Sequence, residues 1–379
     1  MSLRQHFDPG RFGAIMLKEF IQLRRDRLTF AMMIGIPLIQ MALFGFAING
    51  DPKSLPTAIV AQEQGTFTRS IVRALENSGY FKVTAPDVSA AEADRLLAEG
   101  HVQFALTIPA GFARAIARGE QPTVLLEADA TDPAATGNAI AAVQQLAQTA
   151  LAHDLTGPLA RAPVAAPFEL RIHRRYNPDG ITQYNIVPGL MGVILTMTMI
   201  MMTSLGVTRE VERGTMENLL ATPVRPVEVM VGKIAPYIVI GYVQVGVILL
   251  AARYVFDVPF EGSFLLLMVC LLVFICANLA VGITISSVAR TQTQAMQMTF
   301  FVFLPSMLLS GFMFPFRGMP AWAQAIGEVL PLTHFLRLIR GVMLKGNGVV
   351  ELWPEVWPLL LFIAVVMAVG LKRFRATLD

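Results

Sequence analysis

The stretch "TREVERGTMENLLATPVRPVEVMVGK", Thr208–Lys233, is charged and carries two prolines and two glycines. It lies between two long apolar runs, "IVPGLMGVILTMTMIMMTSLGV" before it and "IAPYIVIGYVQVGVILLAA" after it. Local chemistry gives the stretch a shape. Arg209, Glu210, Glu212 and Arg213 extend the first run beyond its apolar part as a helix. Gly214 permits a sharp turn. "TMENLLAT" reads as a short helix, with Thr215 as N-cap and Glu217 in the first turn, where the helix dipole favours a carboxylate. It stops before Pro223, because the residue preceding proline avoids the helical region. Pro226 then suits the first position of a new helix. Met216, Leu219 and Leu220 form one apolar side, a docking knob between two runs.

The surrounding chain explains why such a knob needs greasy flanks. Of 379 residues, 54% are hydrophobic and 15% charged, against about a quarter charged in soluble domains. The bilayer is therefore a solvent for much of this chain. Six runs approach the ~20 residues needed to cross: roughly 28–48, 184–207, 234–253, 263–288, 296–316 and 355–371. In hydrocarbon the backbone must satisfy its own hydrogen bonds, so these runs are expected to be helices. Lys and Arg near the runs set the orientation. Arg4, Arg11, Lys18, Arg24, Arg25 and Arg27 precede the first run, Arg209, Arg213, Arg225 and Lys233 follow the second, Arg290 follows the fourth, and Lys372, Arg373 and Arg375 follow the sixth. All fall on one side, which places both termini in the cytoplasm and makes the first run an uncleaved anchor. Arg317, Arg337, Arg340 and Lys345, in the 316–354 segment, are outvoted. The net charge of +3 and the pI near 9.0 follow from this bias and do not call for nucleic acid.

Residues 49–183 read as a separate extracytoplasmic α/β domain with a mixed sheet. "TAIVAQE", "FKVTAP", "HVQFALTIP" and "PTVLLEAD" are strand-like. "TFTRSIVRALENSGY", with a Thr or Ser N-cap, "SAAEADRLLAEG", "AGFARAIARGE" and "PAATGNAIAAVQQLAQTALAHDL" are helical. "FELRIHRRYNP" leads back to the membrane. The expected fold is thus an α-helical membrane protein with six transmembrane helices and an α/β domain inserted between the first and second.

Catalytic motifs are missing. There is no phosphate-binding G-x-x-x-x-G-K-[ST], no G-x-S-x-G and no H-E-x-x-H. Cys270 and Cys276 share one apolar run with no Cys–His metal spacing, and six positions along a helix separate them by about 9 Å, too far for a disulfide. His6, His101, His153, His173 and His334 are scattered and read as solvent or packing residues. Asp and Glu are absent from the interiors of all six runs, which argues against a proton-coupled exporter. Gln40, Gln244, Asn278, Thr284, Ser286, Ser287 and Gln297 read as hydrogen-bonding groups between helices. Pro37, Pro188, Pro236 and Pro305 are tolerated kinks.

The opening stretch resembles the signature of ABC-2-type transporter permeases, roughly R-E-x-E-x-G-T-x-E-x-L-L-x-T-P-[VI]-x-x-x-E-x-x-x-G-K. Arg209, Glu210, Glu212, Gly214, Thr215, Glu217, Leu219, Leu220, Thr222, Pro223, Glu228, Gly232 and Lys233 meet its fixed positions. The likeness extends along the chain. "RFGAIMLKEFIQLRRDR" matches an N-terminal amphipathic helix within 1–27, with Phe12, Ile15, Met16, Phe20 and Leu23 on one face. "RYNP" and "VPGL" close the α/β domain, and "PLTHFLRLIRGVMLKG", within about 317–348, is similar to outer half-helices that dip back into the membrane. The resemblance implies that about 209–231 is a coupling helix docking on a separate ATPase subunit. It implies the non-catalytic permease of an ATP-driven exporter in a bacterial inner membrane, with ATP and Mg on the partner and no cofactor in this chain. Further implied partners are a second permease, identical or similar, and a periplasmic adaptor. Hydrophobic or cationic compounds and lipid-like molecules are the expected cargo. A multi-span signal-transducing receptor and a proton-coupled exporter are the rival classes.

Overall fold

The computed structural model describes residues 52–155, 166–212 and 226–376. The N-terminal helix, the run 28–48 and most of the coupling stretch lie outside these residues.

The chain first builds an α/β unit. Its order is β1 (Leu55–Ala61), α1 (Thr66–Asn77), β2 (Phe81–Ala85), α2 (Ala90–Glu99), β3 (Phe104–Ile108), α3 (Phe112–Ala117), β4 (Thr123–Asp129), α4 (Pro133–Thr149) and β5 (Glu169–Arg175). The sheet order is β2-β1-β3-β4-β5, with β3 and β4 antiparallel and the other pairs parallel. β1 is an interior strand, and Leu55–Val60 is buried throughout, because helices cover both faces. Leu55 and Ile59 meet α1, α3 and α4, whereas Ala58 and Val60 meet Ala93 and Leu97 of α2.

Two local features depart from the sequence expectation. The N-cap of α1 is Gly65, in extended conformation and with no side-chain cap, while the Thr68 hydroxyl donates to the Glu63 carbonyl instead. β5 emerges from "FELRIHRRYNP" as an exposed edge strand, parallel to β4, before the chain enters the helices. By contrast α2 starts as its sequence predicts, with Ser89 Oγ accepting from the Glu92 amide.

The helical part comprises α5 (Thr182–Glu212), α6 (Pro226–Tyr254), α7 (Phe264–Ser286), α8 (Gln292–Leu309), α9 (Ala321–Gly327), α10 (Pro331–Arg340) and α11 (Val349–Ala376). Among the described residues, four helices are long and apolar enough to cross a membrane: Thr182–Glu210, Pro236–Tyr254, Phe264–Ser286 and Val349–Gly370. α8 is shorter than the run 296–316, because the chain leaves the helix after Leu309 and turns at Gly311, where φ is +85°. α11 begins earlier than the run 355–371, so Glu351 and Glu355 fall inside its apolar helix. Helices begin before the apolar stretch does when amphipathic residues can still pack.

α7 lies along α5 and α11, and α8 lies along α5. α10 is sunk into this bundle, with Leu332, Phe335, Leu336, Leu338 and Ile339 buried and the Phe335 ring stacked on Phe274 at 4.0 Å. Small residues allow the approach: a Cβ on Gly192 would lie 2.7 Å from Phe335, and one on Gly282 would lie 3.0 Å from the Ile200 carbonyl. α6 turns Val239, Val243, Val247 and Leu250 outward, each at least 60% exposed. Of the neutral polar groups expected to bridge helices, Gln244 and Thr284 do so, Thr198 donating to Gln244 (2.9 Å) and Thr284 to the Val366 carbonyl (3.3 Å), whereas Asn278, Ser286 and Ser287 donate to carbonyls of α7 itself. Cys270 and Cys276 are free thiols.

Candidate functional sites at the two ends of the bundle

The coupling stretch is framed by the end of α5 and the start of α6. α5 carries helix through Glu212, as its Arg209–Glu210–Glu212 sequence predicts, and α6 starts at Pro226. Arg213, Gly214, Thr215, Met216, Glu217, Leu219, Leu220, Thr222 and Pro223 lie outside the described residues. Glu228 and Lys233 stand in the first turns of α6. The end of α5 is braced against α8 through one residue that sequence reading passed over. Gln292 donates from its backbone N–H (3.3 Å) and from Nε2 (3.0 Å) to Glu212, and its Oε1 accepts from Arg209 Nε (3.3 Å). Two of the signature residues therefore act on the first residue of α8.

The other end of the bundle meets the α/β unit. The last turn of α2 leaves carbonyls that no helical amide can satisfy. Gly100, in the left-handed region at φ +76°, ends that helix, and three side chains of the 317–347 segment take its carbonyls. Lys345 Nζ donates to Leu97 O (3.0 Å), Asn347 Nδ2 to Ala98 O (3.0 Å) and Arg317 Nη2 to Gly100 O (2.8 Å). Cations are favoured at a helix C-terminus by its dipole. Lys345 also forms a buried pair with Asp129 at the end of β4 (2.6 Å). Asp129 is held in turn, its other oxygen accepting from the Thr131 amide (3.1 Å) and hydroxyl (2.8 Å). Asn185 of α5 donates to Asp132, the N-cap of α4 (3.2 Å).

A second cluster fixes α10 to α11. Arg337 donates to both Glu328 oxygens (2.6 and 3.0 Å) and to Glu355 (3.2 Å), and its guanidinium lies 4.8 Å above the Phe316 ring. His334 bridges the Glu328 carbonyl and the Glu355 carboxylate. Hydrogen bonds and charge from Glu328 and Glu355 hold Arg337 above its ordinary value despite burial, so it stays charged. Between the two clusters lies a cavity of about 420 Å³, lined by the α2 end, the β4–α4 loop, α10 and α11. Sequence reading missed this junction. The available signal was the set Arg317, Arg337, Arg340 and Lys345, which fits the segment's partners rather than a charge rule for membrane flanks.

The comparisons bear on the whole chain. The model of the ABC-2 family transporter protein matches residues 27–372. The chain is 30% identical over 372 residues to "Probable multidrug ABC transporter permease YbhS" of Escherichia coli (strain K12), covering 96% of each. It is 27% identical to "Probable multidrug ABC transporter permease YbhR" of the same organism, covering 96% of this chain and 98% of that one. It is 29% identical to "Inner membrane transport permease YhhJ", again of Escherichia coli (strain K12), covering 96% of each. With a match to nearly its full length, a helical bundle holding several membrane-length helices, and relatives that share its length, the chain belongs to the ABC-2 transporter permease family.

Proposed function

We propose that this chain is the membrane subunit of an ATP-driven exporter of hydrophobic or cationic compounds or lipid-like molecules. In this reading 28–48 and α8 complete six spans in a bacterial inner membrane, and both termini are cytoplasmic. The α/β unit is then extracytoplasmic, inserted between the first two spans. The segment 213–225 is a cytoplasmic knob that docks on a separate ATPase, which carries ATP and Mg. Two permeases, identical or similar, enclose the pathway, and a periplasmic adaptor is a candidate further partner. The chain itself does no chemistry.

The observation that carries the reading is the Arg209–Lys233 signature set between two membrane-length helices, with Glu212 and Arg209 tied to α8 through Gln292. ATP-driven closure of the ATPases would push the knobs, and a rigid shift of α5 with α8 would follow. Two of the relatives are named multidrug permeases, which supports a drug-like cargo. The test is purification of the tagged chain in mild detergent from its native host. A stoichiometric ATPase is expected, lost by at least about tenfold on Leu219→Asp with Leu220→Asp, equivalent to about 1.4 kcal/mol. An intact permease that brings down no ATPase would sink the reading.

A further inference from the structure

The cavity between the α/β unit and the bundle has an uneven account of donors and acceptors. Its carboxylates are all engaged. Glu328 and Glu355 hold Arg337, Asp129 holds Lys345, and Glu99 meets Arg95 and His101. Glu351 accepts the Gly348 amide (2.9 Å), and Asp132 accepts the Ala134 amide (3.2 Å) and Asn185 Nδ2 (3.2 Å). Two guanidinium groups in the same wall are not engaged in this way. Arg317 bonds the Gly100 carbonyl and Arg340 the Gly311 carbonyl (3.4 Å), and among the described residues neither has a carboxylate at ion-pair distance.

A guanidinium offers five donors in a planar fork. Arg340 Nε is buried with no hydrogen-bond partner, and so is the acceptor Gln103 Oε1, which lines the same cavity. A buried polar atom without a partner has lost its water without replacement, and such atoms are rare in folded proteins. Arg340 and Gln103 both line a space of about 420 Å³, and the Arg340 charge is offset at longer range by Asp132 and Asp129. That space is large enough for a small polar molecule rather than a single water. Surplus donors select an acceptor-rich group, and the guanidinium fork matches the paired oxygens of a carboxylate or phosphate. Burial pushes the Asp132 carboxyl above its ordinary range, against the opposing pull of the Arg340 charge.

We infer that this cavity binds a small anionic molecule, through a phosphate ester or carboxylate held by Arg340 and Arg317. The anion comes either free in solution or as the headgroup of a lipid. The site needs no ATPase, so it stands or falls independently of the exporter reading.

The test is calorimetric titration of the purified full chain in a neutral detergent with three probes. These are glycerol 3-phosphate, dihexanoyl-phosphatidylglycerol and, as the zwitterionic control, dihexanoyl-phosphatidylcholine. Saturable binding of glycerol 3-phosphate supports the site with a soluble source. Saturable binding of the phosphatidylglycerol alone supports it with a lipid source. In either case Arg340→Gln should weaken binding at least tenfold. Arg317→Ala, which removes the second guanidinium, and Gln103→Glu, which sets an anion in the cavity lining, should each weaken it several-fold. Arg171→Gln, on the exposed edge strand β5 and outside the cavity lining, should leave it unchanged. No saturable binding of either anion overturns the inference. So does equal binding of the phosphatidylcholine, or anion affinity that is unmoved in Arg317→Ala and Gln103→Glu variants of normal thermal stability.

Discussion

Lys345 and Asp129 form the junction's most committed pair, because both side chains are more than nine-tenths buried. Removing one partner from such a pair leaves a charge with no water and no counter-ion, at a cost of about 3 kcal/mol or more. Asp129→Asn should therefore lower the thermal midpoint clearly in a detergent melt, and the double change Asp129→Leu with Lys345→Met should recover much of the loss. Asp132 behaves oppositely. Burial raises its carboxyl, so the folded chain favours the protonated form. That contribution is complete below the ordinary carboxylate range and is lost as pH rises through the raised value. Asn at 132 keeps an acceptor for the Ala134 amide and has no charge to bury. The midpoint of Asp132→Asn relative to the wild-type chain should rise between pH 4 and pH 8, and a flat difference would contradict the burial of that carboxyl.

At the scale of elements, α5 and α7 owe their contact to Gly282, whose Cβ position lies 2.8 Å from Thr203 Cβ as well as close to the Ile200 carbonyl. Gly282→Leu has nowhere to go without parting the helices and should cost about 1–3 kcal/mol, read as a lower melting midpoint or loss of membrane-inserted protein. Gln292 makes a different prediction. Gln292→Ala removes the link of Arg209 and Glu212 to α8 while leaving both helices packed. Under the proposed coupling to an ATPase, transport should fall several-fold with expression and melting unchanged, and unaltered transport would show that the brace carries no motion. Sequence periodicity located α5, α6, α7 and α11, since a run of apolar residues has one answer in hydrocarbon. It misjudged where α8 ends and α11 begins. Helix ends depend on a turn glycine, here Gly311, and on carboxylates such as Glu355 that only Arg337 and His334 make tolerable.

At the scale of the molecule, the α/β unit and the 213–225 segment attach to opposite ends of α5, whose residues 182–210 suffice to span a bilayer. In a chain lacking Cys270 and Cys276, His101→Cys and Met216→Cys should label with impermeant maleimide from opposite faces of the membrane. Labelling of both from one face would refute the proposed topology. The sequence by itself determined the membrane-length helices, the alternating strands and helices of the mixed sheet, and the family signature at 209–233. These follow from periodicity, composition and local spacing, which neighbours along the chain fully express. Only the tertiary structure decided that Arg317, Lys345 and Asn347 cap α2, that α10 sinks into the bundle, and that Arg340 and Gln103 share a cavity. Those pairings join residues about two hundred positions apart, where no local rule links a charge to its partner and burial in the assembled fold sets what each charge must find.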